Sequence, residues 1–220
     1  MPGRADDRLP IRHVAIYGTS GSGKTLFARA LLRHLRGHHA TWYWDPDDSH
    51  AAPRSADTPS RFLRLLAAGK GGAMTGRATP ALFAFWCAGV WEVIGADRPC
   101  VAVVEELGQV TTPGRAPPEW HQLVTRGRKY ALQLVTIAQR PQEADKTILG
   151  NRGTLAVGYL DRRQDRELAA RELDIDEPEL ARLAQLNTAR PSCRHLWVRD
   201  QGAPARIVAV PVSGQKPRAL

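Results

Sequence analysis

Cysteine is scarce and scattered in this chain. Cys87, Cys100 and Cys193 are odd in number and form no Cys-x-x-Cys pair or Cys/His cluster, so neither a disulfide framework nor a zinc knuckle is available. Long apolar runs are missing too. The longest, Ala81 to Trp91, is well short of the about 20 residues that cross a bilayer, and the first ten residues (MPGRADDRLP) lack the apolar segment of a secretory signal. These absences lead to the expectation of a cytoplasmic protein, not itself an integral membrane protein, with reduced and buried thiols. Acidic residues are outnumbered, 22 Asp+Glu against 31 Lys+Arg, for a formal net charge of +9. That excess favours a polyanionic partner such as nucleic acid. Much of it lies in Ala-Arg runs that also fit a compositional bias, so charge alone names no partner. With 43% hydrophobic and 24% charged residues the chain is neither disordered nor fibrous, and 220 residues suit one domain spanning 1–220.

What is present is an alternation of apolar strand-like runs with helical patterns, the signature of a mostly parallel sheet flanked by helices. Strands are predicted over Ile11 to Tyr17, Thr41 to Asp45, Cys100 to Val104, Leu132 to Ala138, Thr154 to Leu160, Arg194 to Arg199 and Arg206 to Val212. Helices are predicted over Lys24 to Arg36, from Pro80 through Ile94, over Glu119 to Tyr130, Gln142 to Leu149, 162 to 173 and 177 to 186. Residues 46–80, rich in Pro, Ser, Gly and Ala, read as a mobile insertion with one short helical signal at Ser60 to Ala68. Residues 187–220 read as basic C-terminal strands and tail.

The chemistry lies first in Gly18, Thr19, Ser20, Gly21, Ser22, Gly23, Lys24 and Thr25, a full match to G-x-x-x-x-G-K-S/T between a strand and a helix. The glycines let backbone N–H groups wrap phosphates at a helix N-terminus. Lys24 reaches the β and γ phosphates of ATP, and the Thr25 hydroxyl is a ligand for Mg²⁺. Hydrolysis further requires a carboxylate at the tip of a neighbouring strand, to hold the hydrated metal and to deprotonate water. Glu105 and Glu106 stand at such a tip. Alternation along a strand turns the two side chains to opposite sides, one toward the metal and the other toward the attacking water or the next subunit.

Val101 to Glu106, Arg126-Gly-Arg-Lys-Tyr130, Leu134 to Pro141 with its Gln139-Arg140-Pro141 tip, and Ile148-Leu-Gly-Asn151 together resemble the FtsK/HerA superfamily of P-loop ATPases. The likeness covers roughly Ile11 to Arg166 and is weak over 46–98. It implies an additional-strand P-loop sheet in which the Gln-tipped strand lies between the P-loop strand and the acid-tipped strand. Gln139 would then sit between Lys24 and Glu106, sensing the γ-phosphate or positioning water. The first acid of the pair is normally Asp in that superfamily and is Glu105 here, which leaves the division of labour between Glu105 and Glu106 open. An arginine reaching in from the adjacent protomer of a homo-oligomeric ring is also implied. Arg152 and Arg166 are the first candidates, with Arg163, Arg126, Arg128 and Arg140 nearby.

A chain with no second domain most resembles the genome-packaging ATPases of tailless, internal-membrane viruses. The expectation is a motor that drives double-stranded DNA into a preformed capsid, working in the host cytoplasm or on the virion with a capsid-vertex or membrane partner. Two other functions share the P-loop: a nucleotide or nucleoside kinase, with 46–80 as its lid, and an assembly or secretion ATPase with a protein client.

Overall fold

The computed structural model describes residues 1–35, 40–212 and 218–219, the side chains of Leu35, Arg218 and Ala219 excepted. In chain order the elements are β1 (Val14–Tyr17), α1 (Lys24–Leu35), β2 (Ala40–Trp44), β3 (Ser55–Ala56), α2 (Pro59–Ala68), β4 (Gly72–Met74), α3 (Pro80–Val93) and β5 (Cys100–Val104). There follow α4 (Leu107–Val110), α5 (Pro118–Arg126) running into a 3-10 turn (Gly127–Tyr130), β6 (Leu132–Ala138), α6 (Thr147–Gly150) and β7 (Thr154–Val157). Then come α7 (Arg163–Leu173), α8 (Glu177–Ala189), β8 (Cys193–Asp200), β9 (Arg206–Pro211) and β10 (Arg218–Ala219).

The ten strands of the described residues belong to one sheet, in the order β10-β9-β8-β7-β1-β6-β5-β2-β4-β3. The seven from β7 to β3 are mutually parallel, and β8, β9 and β10 close the other end antiparallel. The central strands read as continuous apolar runs because both of their faces are covered, as in parallel sheets generally. One face packs Trp42, Trp44, Phe83, Trp86 and Trp120 beneath α3 and α5, with Phe83 and Trp86 stacked at 5.9 Å. The other face buries Ile16, Tyr43, Val103 and Ile137 against Ala28 and Leu32 of α1.

Residues 46–80 are not an excursion from the sheet. They supply β3, α2 and β4, which extend it beyond β2, and Phe62 of α2 is wholly buried edge-on to Trp42 at 6.0 Å. Strands of two and three residues are too short to show a periodic pattern, so the sequence reveals only the helix between them. The helix expected over Gln142 to Leu149 shrinks to α6. Buried Asp145 accepts hydrogen bonds from Trp120 Nε1 (3.0 Å), the Thr147 N–H (3.2 Å) and the Thr147 hydroxyl (3.2 Å), and such local bonds outcompete the first helical turn. β1 begins at Val14 rather than Ile11, and β7 stops at Val157 rather than Leu160. The expected last residue of α1, Arg36, lies outside the described residues.

His13, next to β1, ties three elements together. Its Nε2–H donates to the Val124 carbonyl (3.2 Å), and its Nδ1 accepts the Leu134 N–H (3.1 Å). Burial lowers its pKa from 6.5 to about 4. The native ring is therefore neutral over a range in which the unfolded chain takes up a proton. Stability should fall as pH drops from 6.5 toward 4, by about 3 kcal/mol in total, and flatten below that. Denaturant midpoints measured across that window should decline less steeply in His13→Gln; an unchanged slope would remove His13 as the source.

Candidate active site

The turn from β1 into α1 carries the Gly-rich loop. The Thr19 N–H donates to the Tyr159 carbonyl (2.8 Å) and the Ser22 N–H to the Thr19 carbonyl (3.2 Å). The residues after β7 thus turn aside to brace the loop, which is why that strand ends early. Close approach requires glycine at several positions here, Gly158 and Gly23 among them. A Cβ on Gly158 would lie 2.9 Å from Ser22 Oγ, and one on Gly23, at φ +98°, would meet Arg194 Cβ at 2.5 Å.

Lys24 is 7% exposed, and its Nζ donates to the Thr19 carbonyl (3.0 Å). No carboxylate among the described residues comes within ion-pair distance of it. Burial lowers its pKa, while the charges of Glu106 and then Glu105 work in the opposite sense. A buried ammonium held by one carbonyl is an incompletely compensated charge, and a phosphate would complete it. The hydroxyl of Thr25, in the first turn of α1, has no hydrogen-bond partner among the described residues.

β6 lies between β1 and β5: Tyr17 pairs with Ala138 and Val104 with Thr136. The Gln-tipped strand therefore occupies the place that the resemblance implies. Gln139 follows Ala138 and donates from Nε2 to Glu106 Oε1 at 3.2 Å. Glu106 holds a left-handed backbone (φ 48°, ψ 50°), uncommon for a residue with a side chain, and it is here that the chain leaves β5 for α4. Glu105 goes the other way, as alternation predicts. Its carboxylate is buried and accepts from His50 Nε2 at 2.6 Å.

The arginines are placed less as the sequence suggests. Arg152 precedes β7, at the opposite end of the parallel strands from the phosphate loop, and is paired with Glu172 (2.8 Å) and the Leu149 carbonyl. Arg166 is paired with Glu177 and with the Leu160 and Asp161 carbonyls. Arg140 bridges Asp165 (2.8 Å) and Glu143, fixing the turn after Gln139 to α7. Arg163 pairs with Glu167, and Arg128 donates to the carbonyls of Asp7 and Leu9. Arg126 is exposed, with its guanidinium 5.9 Å above Trp91.

Three residues at the site escape the sequence reading. Arg194, on β8, donates from Nε to the Gly21 carbonyl (3.1 Å) and has no carboxylate partner among the described residues. It lines cavities on both sides of the loop, one with Tyr159, Asn187 and Pro191, the other with Thr25 and Leu26. In sequence it is one more basic residue of the C-terminal segment. His50 and Asp45 sit behind Glu105, and only Asp45 carries a readable signal, a carboxylate at a strand tip.

Among the described residues no group of three or more His, Cys, Asp or Glu side chains could hold a metal unaided. One hydroxyl and one carboxylate beside a phosphate cradle suit Mg²⁺, which keeps several waters and shares phosphate oxygens.

No protein-family profile matches the chain. It is 32% identical over 205 residues to protein P9 of Pseudoalteromonas phage PM2, an alignment covering 91% of each chain. In fold it is similar to the genome-packaging NTPase B204 of Sulfolobus turreted icosahedral virus 2, solved with AMPPCP (TM-score 0.71, 13% identity, 89% of this chain and 96% of that one). The bacterial conjugative coupling protein TrwB is a further structural neighbour (TM-score 0.64, 13% identity, 96% of this chain and 87% of that one). With a relative of this identity along nearly its whole length, the chain belongs to the family of protein P9, and its phosphate loop and Gln-tipped strand lie in a fold similar to that of the genome-packaging NTPase B204.

Proposed function

We propose that this chain is an ATP-driven motor that moves double-stranded DNA into a preformed viral capsid, with residues 1–220 forming one motor unit. The observation that carries the reading is the contact of Gln139 with Glu106 at the tips of adjacent strands, beside Lys24. An enzyme that only transfers phosphate to a small acceptor has no need of that pair, whereas a motor must couple the state of the γ-phosphate to the rest of the chain. Kinship with protein P9 and likeness in fold to a genome-packaging NTPase support the choice of cargo.

In this reading the backbone N–H groups of Gly18 to Thr25 and the Lys24 ammonium bind the phosphates of ATP. Thr25 and Glu105 would hold Mg²⁺, which when bound neutralises charge on the β and γ phosphates. Glu106 takes the proton of the attacking water, and Gln139, an uncharged donor and acceptor, orients that water. An arginine from the next protomer of a ring neutralises the charge that develops at the γ-phosphate. Arg152 or Arg166 would have to release Glu172 or Glu177 to do so, whereas exposed Arg126 has no carboxylate partner among the described residues to leave. A capsid-vertex or membrane protein is the expected docking partner.

DNA-stimulated ATPase activity is the test. Turnover should rise several-fold with duplex DNA of any sequence, and log K should fall steeply with log salt, with a slope of about −0.9 for each phosphate neutralised. A flat salt dependence, or a strong preference between two unrelated duplexes, would sink the motor. Stimulation by a nucleoside in place of DNA would favour the kinase.

A further inference from the structure

The segment joining β2 to β3 closes a tight loop whose only buried ring ends on Glu105. Asp45, at the tip of β2 and fully buried, accepts the Ser49 and His50 N–H groups, both at 2.8 Å, and its carbonyl accepts the Asp48 N–H at 3.1 Å. Desolvation raises the pKa of Asp45, the first effect on it, and the two backbone N–H groups oppose that rise. The loop thus buries a carboxylate in order to hold the backbone of His50. The His50 ring then lies against Tyr43, with centroids 5.2 Å apart, and its Nε2–H points at Glu105 Oε1, with 1% and 7% of the two side chains exposed.

We propose that His50 is a positioning residue, one that fixes the Glu105 carboxylate so that its second oxygen serves the metal shell. A glutamate has three side-chain torsions, and an unrestrained one spreads over several rotamers. A hydrogen bond from a buried, packed ring selects one of them, as partners behind metal-bound carboxylates commonly do. Glu105 Oε2 has no hydrogen-bond partner among the described residues, so the bond to His50 restrains one oxygen and leaves the other available. Glu105 shares the sheet face of Val103, the face on which α1 packs, and its charge acts on Lys24. The inference rests on the metal role given to Glu105 above, and neither DNA nor a ring enters it.

The test measures binding as well as turnover. The affinity of the full chain for N-methylanthraniloyl-ADP is titrated by fluorescence in EDTA and again in excess MgCl₂, for the parent, His50→Ala and His50→Gln. In EDTA all three should agree within about twofold, because the phosphate loop is untouched. The gain in affinity on adding Mg²⁺ should shrink about tenfold in His50→Ala and be largely restored in His50→Gln, whose amide can still donate to Glu105. kcat should fall in parallel with that gain. If His50→Ala does not fold, His50→Asn, with a shorter reach, takes its place.

A folded variant that keeps the whole Mg²⁺ increment would overturn the proposal. So would an equal loss with and without Mg²⁺, which marks a merely structural ring. A parent chain indifferent to Mg²⁺ would remove the metal role of Glu105 together with that of His50. Failure of DNA to stimulate turnover, by contrast, would strike only the motor reading.

Discussion

Lys24→Ala should abolish ATP turnover, by a factor of about 10³ or more, while leaving the fold intact. The physical grounds are unusually clean for a buried charge. Nζ makes one hydrogen bond, to the Thr19 carbonyl, and no ion pair with any described residue, and burial depresses its pKa. The native chain thus bears a desolvation cost at this position that a bound phosphate would offset. Removing the ammonium takes away the offset and the cost together, so thermal stability without nucleotide should hold or rise slightly. A melting curve and a steady-state ATPase assay on the same preparation decide the matter. A well-folded variant with near-normal turnover would sink the assignment of the loop.

Glu106→Gln should keep ATP binding and lose hydrolysis by about 10² or more, the usual cost of removing a general base. The substitution is nearly isosteric. The amide can still bond Gln139, and the left-handed backbone of residue 106 suits Gln no worse than Glu, so the loss would report the proton acceptor rather than the fold. Nucleotide affinity and single-turnover rates, measured for Glu105→Gln alongside, separate the two acids. If Glu105→Gln binds ATP tightly and is inert while Glu106→Gln turns over, the roles are exchanged. Glu106→Gly makes a useful third arm. It relieves a backbone conformation that costs about 1 kcal/mol for a residue with a Cβ, so it should gain stability while losing hydrolysis.

The phosphate loop was legible because its determinants are contiguous: eight residues, a preceding strand and a following helix occupy one short window. Lateral strand order is a different kind of fact. Periodicity says that Leu132 to Ala138 is a strand, but nothing in its composition says that it lies between β1 and β5; that came from resemblance alone. The bond from His50 to Glu105 spans 55 residues, and that from Arg194 to Gly21 spans 173. No local pattern encodes either, since each depends on two segments distant in sequence meeting after the sheet has formed. The arginines fail in the opposite way. Their number is plain in the sequence, but whether Arg152 faces a neighbour or is held by Glu172 depends on the packing of α7.

The position of β1 also bears on how the chain comes together in time. Both of its neighbours arrive late: Val14 pairs with Val135 on one side and with Thr154 on the other. The phosphate-loop sequence is complete by residue 25, but the strand that carries it has no partner until more than a hundred further residues exist. Closing such distant pairings is slow, because the entropy of the intervening chain is spent before any contact repays it. During synthesis β2, β4 and β5 can pair among themselves first, leaving β5 with an open edge to which β6 and then β1 must add. Nucleotide binding should thus be among the last properties the growing chain acquires, and a fragment ending before β6 should carry every residue of the loop and bind nothing.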